Sequence, residues 1–358
     1  MDKVLPSNPF ESLSRLLSNN LGELSLPFLY ASLCLSISIF KLSPALSLCL
    51  VGATFGLWRL SRGTPATLAG NRIPARFGGK RFEFHAMPVN HFGEKARWIL
   101  DLLQVKYDEV NHGGLLSMFI EGRTVPYLID RKSCSTIGNS DEIIQFLQAV
   151  SAKDLTPLQQ QLLSHDSKTE PWIAVLNEYG HSIQGYCYFY LLGPSSSTTA
   201  TKLAWGVYEV STVPLLDRLL LRLFYPALKA AMRQAFDLSR TAPRQERLAS
   251  IRRCLAMAEQ ALKQGGPFLT GQHLSWVDVT FCSLTAPLLF STLLFTKGGP
   301  SPYANGRFKS FGLSDVEWNN LVKETPKELK ELELEIMKSE VGRYVERTYT
   351  KFRGVGLK

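Results

Sequence analysis

The chain has 358 residues, 45% of them hydrophobic and 20% charged, which is ordinary globular composition and enough for about two domains. Its formal net charge is +9, but six of the cations (Arg59, Arg62, Arg72, Arg76, Lys80 and Arg81) fall in one acid-free stretch, and no basic stripe interleaved with aromatics follows, so nucleic acid is not an expected partner. The six cysteines and six histidines are dispersed, without a C-x-x-C pair or metal-ligand spacing, so no metal and no disulfide framework is expected and a reducing compartment is favoured.

Residues 1–25 form a tail rich in Ser, Asn and Leu. Residues 26–58 are apolar apart from Lys41 and the Ser43-Pro44 pair. The arms Leu26 to Phe40 and Ala45 to Trp58 are each shorter than the roughly 20 residues of a spanning helix. Joined through Lys41, they suffice for one tilted span or an inserted hairpin. Three readings stay open: a membrane anchor, a cleaved peptide targeting a plastid or mitochondrion, or a helix of the folded body. Asp2, Glu11 and Glu23 speak against targeting, since such peptides are poor in acids. The linker 59–81, with Gly63, Pro65, Gly70, Pro74, Gly78 and Gly79, reads as a tether. If the apolar segment is an anchor, its basic flank puts the rest of the chain on the cytoplasmic or equivalent side.

From residue 82 the expected order is strand, helix, strand, then two strands and a helix. Phe82 to His85 alternates, and residues 92–104 set Phe92, Ala96, Ile99, Leu102 and Leu103 on one helical face. Tyr107 to Val110 is a second strand. Tyr127 to Asp130 and Cys134 to Ile137 read as a hairpin, and residues 141–149 as a closing helix with Ile143, Ile144 and Leu147 inward. Arg97 and Asp101 have the spacing of a helix-side ion pair.

Two pieces of this region carry chemistry. Asn90-His91-Phe92-Gly93 opens a helix directly after a strand. Val125-Pro126 enters a strand, and Asn139-Ser140-Asp141 opens another helix. Helix starts present unpaired N–H groups and partial positive charge, and so favour anions. This arrangement resembles the thioredoxin-like half of the glutathione transferase superfamily. The resemblance implies that Asn90, with Phe92 beside it, faces the glutathione sulfur. It also implies a cis Val125-Pro126 edge that receives the peptide backbone, and a γ-glutamyl carboxylate held at Asn139, Ser140 and Asp141. Relatives place Ser, Cys or Tyr where this chain has Asn90, which can donate an N–H to a thiolate but performs neither acid–base nor covalent chemistry. Asn is also among the best helix caps, and the two roles are compatible. Gly93 replaces a second cysteine found in some relatives, which argues against dithiol redox chemistry. His91, the nearest titratable group, is either catalytic or a packing histidine. Ser140 could equally be a plain cap.

After Thr156 no strand is expected. Helices are read at 157–192, 209–239, 243–264, 276–296, 314–322 and 326–353, the first splitting near Gly180 or Gly185. Ser275-Trp276-Val277-Asp278 is a capping box with Asp in place of Glu. With the preceding Gly-Pro-Phe-Leu-Thr-Gly it resembles the capped central helix of the transferase C-terminal domain, and Ser339 to Val345 resembles the end of bacterial and plastid-type members. The resemblance therefore covers about residues 80–353 and implies a glutathione transferase fold: an α/β thioredoxin-like domain at 82–150 followed by an all-α domain at 155–353. It implies glutathione as co-substrate, a small apolar electrophile bound near Tyr186, Tyr188, Phe189 and Tyr190, and a homodimer. The alternative is a non-catalytic protein of the same fold that binds such ligands or other proteins, tethered through residues 26–58.

Overall fold

The computed structural model describes residues 79–113, 125–193 apart from 134 and 152, 213–297 and 311–354, together with the single residues 43, 46, 205 and 357. The tail, the apolar segment at 26–58, the linker up to residue 78 and the stretch 194–212 lie otherwise outside the described residues.

Phe82–Ala86 form the central strand β1, and all of them are buried. β2 (Tyr107–Asn111) pairs with it in parallel and β3 (Tyr127–Asp130) antiparallel, while β4 (Ser135–Gly138) pairs antiparallel with β3. The sheet order is therefore β2-β1-β3-β4. Helix α1 (His91–Leu102) connects the parallel pair, and α2 (Ser140–Ser151) follows β4. This is the expected thioredoxin-like plan. Phe82, Phe84 and Ala86 alternate onto one face and join Trp98, Ile99, Ile143 and Leu147 in the core.

Glu83 and His85 point to the other face, where burial requires partners. Glu83 Oε1 lies 2.6 Å from His85 Nε2, His85 Nδ1 lies 2.7 Å from His112 Nε2, and Arg131 donates to Glu83 Oε2 at 2.5 Å. Burial raises the Glu83 carboxyl, but the bonds from His85 and Arg131 outweigh it and hold the group down at about 2. The Tyr127 ring stacks on His85 at 4.3 Å.

The chain then becomes helical: α3 (Pro157–Leu162), α4 (Glu170–Leu191), α5 (Leu215–Ala235), α6 (Thr241–Gly265) and α7 (Trp276–Thr285). After β5 (Phe295–Lys297) and β6 (Phe311–Leu313) come α8 (Asp315–Glu324), α9 (Lys327–Lys338) and α10 (Glu340–Phe352). One continuous core runs from the sheet through α4, α6 and α7 to α10, with α7 packed directly on α1. The stretch Trp276–Leu294 is long and apolar enough to cross a membrane, but most of it is buried here as this central core element.

Several boundaries differ from those expected. The helix read at 157–192 breaks at 163–169, where Asp166 takes the N–H groups of Lys168 and Thr169 while Thr169 Oγ1 takes that of Asp166. Gly180 and Gly185 break nothing. They are contact sites: a Cβ at Gly180 would stand 2.9 Å from the Phe92 ring, and one at Gly185 would stand 2.4 Å from Arg247 Nε. The helix read at 276–296 stops at Thr285 because Pro287 lacks the N–H needed to continue. It passes through a 3₁₀ turn (Ala286–Leu289) and a π turn (Phe290–Leu294) into β5. Strands do occur after Thr156, since β5 and β6 pair in parallel.

The helix read at 326–353 is two helices joined at Ser339, whose hydroxyl donates to Ile336 O and accepts the Gly342 N–H. A Cβ on Gly342 would meet Ile336 O at 2.1 Å, so the bend needs glycine. The hairpin's second strand is Ser135–Gly138, and Cys134, its expected start, lies outside the described residues. Arg97 does not pair with Asp101. It pairs with Glu94 and Glu109, while Asp101 is taken by Arg353 and the Tyr107 hydroxyl.

Candidate functional site

The start of α1 is built by Asn90. Its backbone is extended, its N–H bonds to Met87 O at 3.2 Å, and its Oδ1 accepts the Gly93 N–H at 2.9 Å. Capping thus occupies the carbonyl and leaves the side-chain NH₂ as the donor at this helix end. At Gly93, in the first turn of α1, a Cβ would stand 3.2 Å from the Ala86 side chain. His91 is buried, and its Nε2 has no hydrogen-bond partner. Burial lowers the imidazole to about 4, helped by neighbouring His181 and opposed by a bond to the Gly180 backbone. The ring is therefore neutral at pH 7, and the titration near neutrality expected of a catalytic histidine is absent.

This helix start opens into a cavity of about 390 Å³ between the sheet half and the helical half. Met87, Val89, Asn90 and His91 line one side. Ile183, Gln184, Cys187, Tyr188, Phe189 and Tyr190 of α4 line the next, and Phe290, Leu294 and Phe295 the far wall. Charge reaches it from Arg244, whose guanidinium stands 4.8 Å above the Phe189 ring, and from Glu324 and Glu328. The lining is apolar and aromatic with few polar groups, the usual character of a small-molecule site. Burial pushes the Cys187 thiol up to about 12, so it is a neutral wall group and no nucleophile. Tyr186, expected beside these aromatics, is core, with its hydroxyl 3.4 Å from that of Tyr190.

The other expected residues lie at the same end of the sheet but outside this cavity's lining. His85 pairs with Tyr127 and Tyr127 with Gly138, so the C-terminal end of β1, the N-terminal end of β3 and the C-terminal end of β4 coincide. Asn90, the cis Val125-Pro126 peptide and Ser140 follow or precede those ends directly. Ser140 is buried at the start of α2. Asn139, with a positive φ of 36°, caps that helix by taking the N–H groups of Asp141 and Glu142 and donating to Glu142. Asp141 is held by the buried Lys95 of α1, which fastens the two helix starts together. Asn139 and Asp141 are thus engaged within the protein, and Phe92 packs on Gly180 and His181.

The residues that shape the far wall have no motif. Glu333 of α9, buried, accepts the N–H and hydroxyl groups of both Ser291 and Thr292 at 2.7 to 3.2 Å. It holds the π turn that presents Phe290 and Leu294 to the cavity. Burial raises its carboxyl against those bonds. Only Pro287, inside an otherwise apolar helix, signals in sequence that the backbone departs there.

No protein-family model and no curated protein matches the sequence. Among solved structures, the chain is similar to a glutathione S-transferase of Ceriporiopsis subvermispora in complex with glutathione, at 14% identity and TM-score 0.43, over 76% of this chain and 97% of that one. It is also similar to a glutathione transferase from Pseudomonas putida with one glutathione disulfide bound per subunit, at 13% identity and TM-score 0.39, over 76% and 94%. A third is glutathione transferase F7 from Populus trichocarpa, at 12% identity and TM-score 0.37, over 76% and 100%.

Proposed function

We propose that this protein binds glutathione across the sheet end defined by Asn90, Val125-Pro126 and Ser140, and conjugates it to an apolar electrophile held in the adjoining cavity. The observation that carries the reading is the position of the Asn90 helix start, which shares a sheet end with Pro126 and Ser140 and opens into the cavity lined by Tyr188, Phe189 and Tyr190. A thiolate there would lie beside the positive end of α1 and within reach of the Asn90 side-chain NH₂, both of which favour the ionised form. The Ser140 hydroxyl would take the γ-glutamyl carboxylate, and the cis Val125-Pro126 edge the peptide backbone. No metal enters the scheme.

A second reading has its own support: Asn90 is not a base, and burial lowers His91 to about 4, which makes it a weak one, so no strong side-chain base stands at the helix start. On that reading the site binds glutathione or apolar ligands without turnover. Calorimetric titration of glutathione, with turnover of 1-chloro-2,4-dinitrobenzene, separates the two. Conjugation that falls in N90A, with affinity weakened about tenfold in S140A by loss of a charge-assisted hydrogen bond, supports the enzyme. Binding without turnover supports the second reading; absence of glutathione binding refutes the first, and absence of both glutathione and apolar-dye binding refutes the second as well.

Attachment to a membrane through residues 26–58, with residues 82–353 on the cytoplasmic or equivalent side, is part of the proposal, as is a homodimer. Membrane fractionation with N-terminal sequencing distinguishes the anchor from a cleaved plastid or mitochondrial targeting peptide, and sedimentation tests the dimer.

A further inference from the structure

Helix α5 carries two apolar faces where a surface helix ordinarily has one. Asp217, Leu221 and Leu228 turn inward, the two leucines packing with Leu192, Trp205 and Leu238. On the opposite side, Leu215, Leu219 and Leu223 recur every fourth residue and are 63%, 49% and 70% exposed. Pro226, Ala227 and Ala230, all exposed, continue that face toward the C-terminus. The strip from Leu215 to Ala230 is about 22 Å long at helical rise.

The charges beside this strip share one sign. Arg218, Arg222 and Arg233, spaced four and eleven residues apart, fall along one flank of the strip, Arg222 exposed and the other two half-buried. The one acid of α5, Asp217, is fully buried and accepts the Gly113 N–H. Asp237, just past the helix, is paired with Arg240 at 2.9 Å.

We propose that this face seats α5 flat on an anionic lipid surface, with the leucines at the headgroup boundary and the arginines reaching phosphates. An outward leucine strip bordered by arginine, with one part-exposed acid, Asp237, at its C-terminal end held by Arg240, is what an interfacial helix needs, because apolar burial and attraction to anionic headgroups then act together. Pairing with a second copy through the same face fits less well, since a two-fold contact would bring the arginine flanks together with only Asp237, already paired with Arg240, to offset them. The proposal depends neither on residues 26–58 nor on the glutathione reading.

The test uses the full chain carrying Leu223→Cys, labelled with an environment-sensitive fluorophore, with the equally treated parent chain as background for its native cysteines. On vesicles of phosphatidylcholine with phosphatidylserine, emission from position 223 should shift to the blue and rise several-fold, with a smaller response on phosphatidylcholine alone. Adding R222E and R233E should weaken the anionic preference by about tenfold or more, and high salt should act in the same direction. A local readout is needed because residues 26–58 could bring the protein to vesicles by themselves. Unchanged emission in the presence of anionic vesicles, whether or not the protein sediments with them, overturns the proposal. So does a blue shift that appears without lipid, either growing with protein concentration, which assigns the face to a second copy, or independent of it, which assigns it to another segment of the chain.

Discussion

Removing the Asp278 carboxylate should unfasten the helical half. Asp278 lies at the start of α7 with no exposed surface, and its two oxygens accept four bonds. Oδ2 takes the Ser275 N–H and hydroxyl, each at 2.7 Å, and Oδ1 takes the Leu269 N–H at 2.8 Å and the Tyr344 hydroxyl at 2.6 Å. One side chain thus ties the cap of α7 to the preceding loop and to α10. Burial pushes this carboxyl up, and the four bonds oppose that rise. In D278A the Ser275 hydroxyl oxygen keeps the bond donated by Thr270 Oγ1, 3.1 Å away, while its own proton loses its acceptor. The Leu269 and Ser275 N–H groups and the Tyr344 hydroxyl are left buried without acceptors. At about 1–3 kcal/mol for each stranded donor, and allowing for water entering the space, the loss should be about 3–6 kcal/mol. That is a large part of the roughly 5–15 kcal/mol that holds a typical protein folded. Urea denaturation followed by far-UV circular dichroism measures it, and an unchanged slope against urea shows that the shift is one of stability. Y344F, which removes one bond and leaves Oδ1 with Leu269, should cost about 1–2 kcal/mol. A D278A variant within about 1 kcal/mol of the parent would refute the reasoning, because it would mean that the bonds contribute no more than water does.

Three further outcomes follow from the same structure. Arg353, fully buried, bonds Glu94 and Asp101 of α1 from the end of α10, so R353M should cost about 3–5 kcal/mol by stranding buried carboxylates, and adding E94Q should recover part of it; no recovery in the double variant would place the cost elsewhere. E333A removes the acceptor for four bonds at the π turn and should lower stability by about 2–4 kcal/mol and weaken binding of an apolar dye in the cavity, whereas E333Q, which keeps an acceptor oxygen, should retain most of both; equal loss in the two variants contradicts this. His91 titrates near 4 when folded against 6.5 when unfolded, so its contribution to stability is present above pH 6.5 and is lost as pH falls toward 4. Unfolding midpoints of H91Q should then lack that part of the acid slope, and an NMR titration of His91 near 6.5 would contradict the burial argument.

Local chemistry made much of this protein legible without coordinates. The strand at Phe82, the helix opened by Asn90, the Val125-Pro126 edge and the Ser275–Asp278 box are each set by neighbours a few residues away, and all are present as expected. The thioredoxin-like order rested on family resemblance as much as on these short-range signals. What sequence could not assign was which partner each polar group would take. Arg97 has Asp101 at helical spacing, yet Glu94 and Glu109 hold it, because a buried Arg353 arriving from the far end of the chain claims Asp101. Gly180 and Gly185 look like helix breakers in the sequence. In the fold they are the places where the Phe92 ring and the Arg247 side chain lie against the α4 backbone. Likewise, Asn139 and Asp141 are engaged by Glu142 and Lys95, while the cavity wall rests on Glu333, some forty residues from the turn it holds. Element type is decided locally, by backbone preferences and caps. The site is decided by which distant groups meet when the core closes, since burial compels each of them to find a partner.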